Sequence, residues 1–269
     1  MRGVLSKFFA DRGTHLAAMI AYFALLSFVP LLFLALALLG IANQADQKSF
    51  FVRELARVFP SASVDEILDR VREIQRNAKA LGIVGAAFLL WSSLSFFSVL
   101  ESAFNIVYGR PNRGFLRGKA LATTMMVASL VTLFAALVVG SFGSGVLRRH
   151  VPGLEGNPTL SWAVATFASL LGVFLFLASA YYVLTNVALT LREVLPGAVT
   201  AAFLLELTFQ GQRAFIRVTS ENPVIQTLSG SAVLLVWLYV MANVIVLGAE
   251  VNWWRARRAL PTDELVGAA

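Results

Sequence analysis

The chain has 269 residues, of which 58% are hydrophobic and 14% are charged, and it contains no cysteine. Soluble domains average about 45–50% apolar and about 25% charged residues, so the composition excludes a water-soluble globular core and indicates a protein embedded in a lipid bilayer. The lack of cysteine excludes disulfides and thiolate metal sites, and the net charge of +7 fits the Lys and Arg excess that orients membrane proteins rather than a nucleic-acid partner.

Six segments are long and apolar enough to cross a bilayer as helices. A transmembrane helix needs about 20 mainly apolar residues; five uncharged runs reach that length, and a sixth is interrupted only by Glu206. The sequence therefore predicts an all-α, polytopic transmembrane bundle that forms a single membrane domain over 1–269. The predicted spans, TM1 to TM6, lie near residues 15–41, 81–107, 119–143, 160–186, 194–215 and 227–251.

Residues 43–80, between TM1 and TM2, are predicted to form an amphipathic helical insertion on the outer face. Ser63 and Glu66 have the spacing of a capping box, and apolar residues then recur at helical spacing at Val64, Ile67, Leu68, Val71 and Ile74. Such helices either lie on the membrane interface or pack over the bundle, and the sequence leaves both arrangements open.

The distribution of Lys and Arg predicts that both chain ends lie in the cytoplasm, because cytoplasmic loops are enriched in these residues. With the N-terminus inside, the inner segments carry eleven cations: Arg2, Lys7, Arg12, Arg110, Arg113, Arg117, Lys119, Arg192, Arg255, Arg257 and Arg258. The two short outer loops carry four: Arg148, Arg149, Arg213 and Arg217. The 43–80 segment adds seven cations and six acidic residues, which nearly cancel.

Polar side chains inside the spans are the candidate functional residues, because a charge in the membrane is costly and marks either a functional site or an internal pair. Three glutamates qualify: Glu101, Glu206 and Glu250. Each belongs to a polar stripe at helical spacing, and the candidate substrate path comprises Ser95, Ser98, Glu101, Ser102 and Asn105 of TM2, Glu206, Gln210 and Arg213 of TM5, and Tyr239, Asn243 and Glu250 of TM6. Helix fastening by hydrogen bonds is the competing interpretation of these stripes.

The loop between TM2 and TM3 is strongly basic. Its cations Arg110, Arg113, Arg117 and Lys119 are candidates for binding anionic lipid headgroups. A purely topological role is the alternative.

Soluble-enzyme constellations are missing from the sequence. The two histidines, His15 and His150, fall at opposite predicted membrane faces, and all five aspartates lie outside the predicted spans. No zinc-protease, P-loop or nucleophile-elbow motif is present. The sequence therefore predicts neither catalysis nor a metal or cofactor.

Several segments resemble the YihY/BrkB family of bacterial inner-membrane proteins. The matching stretches are the run from Ala21 to Leu32, Trp91 with Asn105 and Tyr108, Pro196-Gly-Ala, Trp237-Leu-Tyr239, and Gly248-Ala-Glu250-Val-Asn252. The resemblance adds Asn252 to the candidate site. It implies a six-helix inner-membrane protein from a family that has carried a ribonuclease BN-like label and a virulence-factor label.

Three functions are compatible with these sequence features. The leading expectation is a transporter-like protein that binds or moves a lipidic or amphipathic substrate through the polar-lined bundle, with membrane lipids, anionic ones among them, as partners. The alternatives are a non-catalytic scaffold that docks a partner through residues 47–79 and a membrane-bound tRNA-processing ribonuclease.

Overall fold

The computed structural model of the chain describes residues 2–41, 69, 78–150, 158–212, 214–215, 217 and 230–259. Across these ranges the regular structure is helical, which confirms the predicted all-α class. Within these residues the helices are α1 (Arg2–Ala10), α2 (Gly13–Ile41), α3 (Ala78–Val107), α4 (Phe115–His150), α5 (Pro158–Leu184), α6 (Leu191–Gln210) and α7 (Gly230–Ala259).

Helix α7 forms the centre of the bundle, packing along α2 and α6 and also touching α1 and α3. Its buried face carries Leu234, Trp237 and Val246. Helix α5 packs on α6, and α4 packs mainly on α3. Successive helices alternate in direction, so the start of α2 and α6 meets the end of α3, α5 and α7 at one end of the bundle. This end is called the Glu250 end below, after its most buried carboxylate.

The chain is a helical membrane protein. Within the described residues, three stretches are long and apolar enough to cross a membrane: Leu90–Val107, Trp162–Leu184 and Ser231–Arg257. Gly13–Phe28 forms a shorter apolar stretch. Predicted TM1, TM3 and TM5 correspond to α2, α4 and α6, and a total of six spans stays a prediction. The predicted outer insertion over 43–80 lies outside the described residues except for Asp69, Ala78, Lys79 and Ala80.

A short helix precedes the first span. Helix α1 ends in a two-residue turn, Asp11–Arg12, in which Arg12 adopts a left-handed backbone conformation with φ of 56°. This turn lays α1 against α7 at the Glu250 end. Val4 and Phe8 of α1 are buried, whereas Leu5 and Phe9 are exposed. Helix α1 therefore has the amphipathic character of a helix that lies at a membrane interface.

A serine pair joins α2 to α3 at the level of a proline. Pro30 lies inside α2 and has no backbone N–H, so the carbonyl of Leu26 loses its usual partner one turn later. The Ser92 hydroxyl donates to that carbonyl at 3.0 Å. The Ser27 hydroxyl in turn donates to the backbone carbonyl of Ser92. The neighbouring helix thus restores the hydrogen bond that the proline removes, as is usual for prolines in membrane helices.

Replacing Ser92 by Ala is expected to destabilise the protein, because the Leu26 carbonyl is then left without a donor inside the membrane. An unsatisfied buried group costs about 1–3 kcal/mol, and the expected readout is a lower apparent melting temperature in detergent. Thr124→Ala is the matched control, since the exposed Thr124 hydroxyl donates only to Ala120 of its own helix. Equal melting temperatures for the two variants would contradict this role of Ser92.

Candidate functional site

A carboxylate is buried in the core at the Glu250 end. Glu250 of α7 has no exposed surface, and both of its carboxylate oxygens lack a hydrogen-bond partner. The Lys7 ammonium of α1 lies 2.9 Å from Glu250 Oε2, which is an ion-pair distance without hydrogen-bond geometry. A buried charge is tolerated only when it is paired, so Lys7 supplies the charge balance that Glu250 requires.

The Lys7 ammonium has three further contacts. It pairs with Asp11 one turn later, donates to the Val107 carbonyl at the end of α3 over 2.9 Å, and lies 4.0 Å from the ring centroid of Trp253. The Val107 carbonyl is one of the last of its helix, where unsatisfied carbonyls carry partial negative charge. The ammonium is therefore surrounded by carboxylates, a carbonyl and an aromatic face.

Two glycines allow α6 and α7 to approach each other closely beside Glu250. A methyl group on Gly197 would lie 2.0 Å from the Gly248 carbonyl oxygen, and one on Gly248 would lie 2.3 Å from the Tyr181 hydroxyl. The Gly197 N–H donates to Asn252 Oδ1 at 2.6 Å, and Tyr181 donates to the Ile245 carbonyl at 2.7 Å. Close backbone approach at small residues is how membrane helices pack without a hydrophobic driving force.

Further polar atoms at the Glu250 end are buried without a hydrogen-bond partner: Tyr108 Oη, Thr185 Oγ1 and Asn252 Nδ2. Tyr108 stands just past the end of α3, outside the span, and burial raises its pKa above the ordinary value, with the charges of Glu193 and Glu250 adding to the rise. Tyr108 directly follows Val107, whose carbonyl accepts from Lys7, so it belongs to the same end of the bundle. Lys7, Asp11, Tyr108, Glu250 and Asn252 are called the Glu250 cluster below.

Arg113, in the loop between α3 and α4, binds the end of α5. Its guanidinium donates to the carbonyls of Val183, Leu184 and Thr185 at 3.3, 2.6 and 2.8 Å. It also donates to Glu101 Oε1 at 3.1 Å. Orphan carbonyls at a helix C-terminus attract cations. The donors of Arg113 are thus engaged inside the protein, and its assignment to a lipid headgroup stays a prediction.

An asparagine network supports this loop. The Asn105 side chain accepts from the Asn186 N–H at 2.7 Å and donates to Asn112 at 3.2 Å. Asn112 donates to Ser102 at 3.0 Å, and Asn186 donates to the Pro111 carbonyl at 3.0 Å. The 110–114 loop is therefore bound to both α3 and the end of α5.

The sequence model of a family described as virulence factor BrkB matches residues 4–267. This chain belongs to the BrkB family. It is 27% identical to a putative ribonuclease-like protein, YfkH, of Bacillus subtilis, with 98% of each chain covered. No solved structure matches it.

Other BrkB-family relatives are longer than this chain. A UPF0761 membrane protein of Aromatoleum aromaticum is 27% identical, with 98% of this chain and 67% of the relative covered. For a UPF0761 membrane protein of Vibrio parahaemolyticus the identity is 28%, with 93% of this chain and 79% of the relative covered. A relative from Chromohalobacter salexigens is covered over 63% of its length.

Glu206, the deepest of the candidate residues predicted from sequence, lies at the interface between α6 and α5. It is buried, and its carboxylate accepts from Ser169 of α5 at 2.9 Å and from Gln210 at 2.8 Å. Ser169 was not among the residues predicted from sequence. The bond from Ser169 connects two neighbouring helices, which is the arrangement expected of a helix fastener. Gln210 itself is exposed, and Arg213 lies outside the described residues.

The remaining predicted stripe residues have local partners. Ser95 and Ser98 donate to carbonyls of their own helix, at Trp91 and Leu94, and Asn243 donates to the Tyr239 carbonyl. Ser98 also accepts from Lys119 at 3.1 Å, and the Lys119 ammonium lies 4.7 Å from the Trp91 ring. Arg110 and Arg117 are exposed. The three glutamates thus occupy three different environments, with Glu101 on Arg113, Glu206 on Ser169 and Glu250 on Lys7.

Two residues of the Glu250 cluster were not predicted from sequence as site residues. Lys7 was counted only as a cation that sets the topology, and Tyr108 was given no role. Lys7 shares one helical face with Val4 and with Asp11, which is the available sequence signal for a short helix with an inward-facing cation. The glycine pair Gly197 and Gly248 was noted in motifs but not recognised as a helix contact. Within the described residues, no group of three or more His, Asp or Glu side chains is arranged to hold a metal ion.

Proposed function

We propose that this BrkB-family membrane protein binds and moves an amphipathic or lipidic substrate, whose polar part enters the Glu250 cluster. The observation that carries the proposal is the group of buried polar atoms without hydrogen-bond partners, on Tyr108, Glu250 and Asn252. Native proteins satisfy nearly all buried polar atoms, so a concentration of exceptions at one place calls for a ligand or for ordered water.

The energetic cost of this cluster supports a ligand. Each unsatisfied buried polar group costs about 1–3 kcal/mol, and more when the group is charged. Four buried side-chain atoms of Tyr108, Glu250 and Asn252 lack a hydrogen bond, and one of them, Glu250 Oε2, is within ion-pair distance of Lys7. A helix fastener would have its partners inside the bundle, as Glu206 has. A substrate that brings both donors and acceptors satisfies groups that the protein itself leaves open.

The outer surface of the bundle suits the apolar part of such a substrate. Large apolar side chains are exposed along α5 at Phe167, Leu171 and Leu175, and along α6 at Val199 and Phe203. Acyl chains in the bilayer contact such faces without cost. The polar end of an amphipathic molecule then has to find polar partners within the protein.

Transport is tested by lipid movement in proteoliposomes. The purified full chain is reconstituted with a phospholipid that carries a fluorophore on its acyl chain, and a membrane-impermeant quencher reports the fraction that crosses. We expect movement above protein-free vesicles, with the rate lowered at least about tenfold by Glu250→Gln, which corresponds to about 1.4 kcal/mol. The exposed Arg192→Gln serves as control for loss of a charge. Movement no faster than in protein-free vesicles would refute the proposal.

We propose further that the protein lies in the bacterial inner membrane with its N- and C-termini in the cytoplasm, on the strength of the Lys and Arg bias. Cysteines introduced at Ser6 and Gly114, an exposed and an open position of the structure, are expected to resist a membrane-impermeant thiol reagent in intact cells. A cysteine at Ser63 is expected to react. Labelling at Gly114 together with protection at Ser63 would show that the orientation is the opposite of the proposed one. The native chain has no cysteine to interfere.

A non-enzymatic role belongs to the same proposal. The name of the Bacillus relative contains "ribonuclease-like", and that activity is tested by incubating the purified chain with tRNA precursors and Mg²⁺. Cleavage that is lost in Glu250→Gln but kept in Arg192→Gln would contradict the non-enzymatic role and would support a ribonuclease. The scaffold alternative depends on residues 47–79, of which only Asp69, Ala78 and Lys79 are described.

A further inference from the structure

Lys7 is bound in the way that a protein binds an ammonium ligand. Two of its partners, Glu250 and Trp253, belong to α7, and a third, the Val107 carbonyl, belongs to α3. These groups form a receptor that exists independently of α1, and α1 contributes the ammonium. Carboxylates and carbonyls accept the N–H bonds of a primary ammonium, and an aromatic face stabilises its charge.

The receptor can accept more hydrogen bonds than Lys7 donates to it. Glu250 Oε1 and Oε2 both lack a hydrogen bond although Lys7 is near. Around Lys7 the carboxylates of Asp11 and Glu250 provide two negative charges against one positive charge. Arg257 is the other cation at Trp253, 4.6 Å from the ring centroid, and its side chain is exposed. The interior of the site is therefore acidic and favours a cationic group.

Lys7 belongs to a short helix, α1. Helix α1 spans Arg2–Ala10 and connects to α2 through the two-residue Asp11–Arg12 turn. It packs mainly on α7, and it exposes Leu5 and Phe9 on the opposite face. Because α1 is short and packs mainly on α7, its withdrawal would expose Val4 and Phe8 but would leave the direct contacts among α2, α3, α6 and α7 in place.

We propose that the Glu250 cluster is a primary-ammonium site, that Lys7 is its resident occupant, and that the amino headgroup of a phospholipid takes the place of Lys7 when the substrate binds. This inference rests on the proposed function and names its substrate class. A primary ammonium carries three N–H donors that match the carboxylate oxygens and the Val107 carbonyl. A trimethylammonium headgroup carries the same charge but no N–H, so phosphatidylcholine leaves these acceptors unsatisfied. The Tyr108 hydroxyl and Asn252 Nδ2 are donors that suit the adjoining phosphate.

The test compares headgroups on one protein. The full chain, purified in detergent, is titrated with phosphatidylethanolamine and with phosphatidylcholine of the same acyl chains, and bound lipid is counted by native mass spectrometry. We expect the wild type to prefer phosphatidylethanolamine. Lys7→Gln removes the competing ammonium, and we expect it to bind phosphatidylethanolamine about tenfold more tightly, with little change for phosphatidylcholine. Glu250→Gln is expected to remove the preference.

Three controls keep the result interpretable. Arg192→Gln removes one positive charge from an exposed side chain outside the cluster, and its lipid preference is expected to equal that of the wild type. The double variant Lys7→Gln/Glu250→Gln removes both charges without leaving either buried alone. Comparing its melting temperature with that of Glu250→Gln shows whether the single variant loses the preference by unfolding. Free ethanolamine is titrated against Lys7→Gln to separate a soluble amine from a lipid.

The outcomes separate the two proposals. Equal binding of both headgroups by wild type and Lys7→Gln would overturn the ammonium site while leaving lipid transport intact. Absence of lipid binding together with absence of lipid movement would overturn the proposed function. Ethanolamine binding as tight as that of the lipid would overturn the lipid as ligand and assign the site to a soluble primary amine.

Discussion

Gly197→Ala is expected to destabilise the protein by about 3 kcal/mol, at the upper end of the range for overpacking. The added methyl group would lie 2.0 Å from the Gly248 carbonyl oxygen and 2.5 Å from Asn252 Oδ1. The nearest of these atoms is backbone, so a side-chain rotation cannot relieve the clash. Helices α6 and α7 have to separate, and the bond from the Gly197 N–H to Asn252 is lost with them.

Thermal unfolding in detergent measures this effect, with Gly172→Ala as the matched control. Gly172 lies inside α5 and has no atom within 4 Å of an added methyl group. Because alanine favours helix over glycine by about 1 kcal/mol, the control is expected to melt at the wild-type temperature or above. A Gly197→Ala protein that melts like the wild type would show that α6 and α7 do not approach as closely as the structure has them.

Arg113→Gln is expected to cost about 3–5 kcal/mol, the range for breaking a buried ion pair by removing one partner. The variant leaves the Glu101 carboxylate, whose side chain is 5% exposed, without its cation. It also removes the donors for three carbonyls at the end of α5. The expected readout is a large loss of melting temperature, accompanied by increased proteolysis in the 110–114 loop.

A second substitution identifies the cause of this loss. Glu101→Gln in the Arg113→Gln background removes the unpaired charge, so part of the lost stability is expected to return, and the two substitutions are expected to be strongly non-additive. Arg110→Gln is the control, since Arg110 is an exposed cation of the same loop. Additive effects of Glu101→Gln and Arg113→Gln would mean that the two side chains act independently.

The transmembrane architecture was accessible from sequence because it depends on long apolar runs. The predicted TM2 over 81–107 matches α3, Ala78–Val107, and the predicted TM6 over 227–251 falls largely within α7, Gly230–Ala259. Each such run is decided by local composition and bilayer thickness. The C-terminal extension of α7 beyond the prediction carries Trp253 and also Arg257, which was counted among the cytoplasmic cations.

The partners of the polar residues were less accessible. Helical periodicity places Glu101, Glu206 and Glu250 on polar faces, but it does not give the rotation of one helix relative to another. In the structure Glu101 contacts Arg113, and Glu206 contacts Ser169. Glu250 contacts Lys7, from which it is separated by most of the chain. Lys7 and Arg113 were counted as topology-setting charges, and a charge count does not distinguish a solvated cation from one that enters the bundle.

The contact between Arg113 and α5 has a consequence for biogenesis. Arg113 precedes its acceptor at Leu184 by 71 residues. A chain elongating at about 5–20 residues per second exposes this arginine for several seconds before the acceptor has been synthesised. During that interval Glu101, already made, is its available partner. We expect this ion pair to hold the loop between α3 and α4 until α5 has been synthesised and its carbonyls also accept from Arg113.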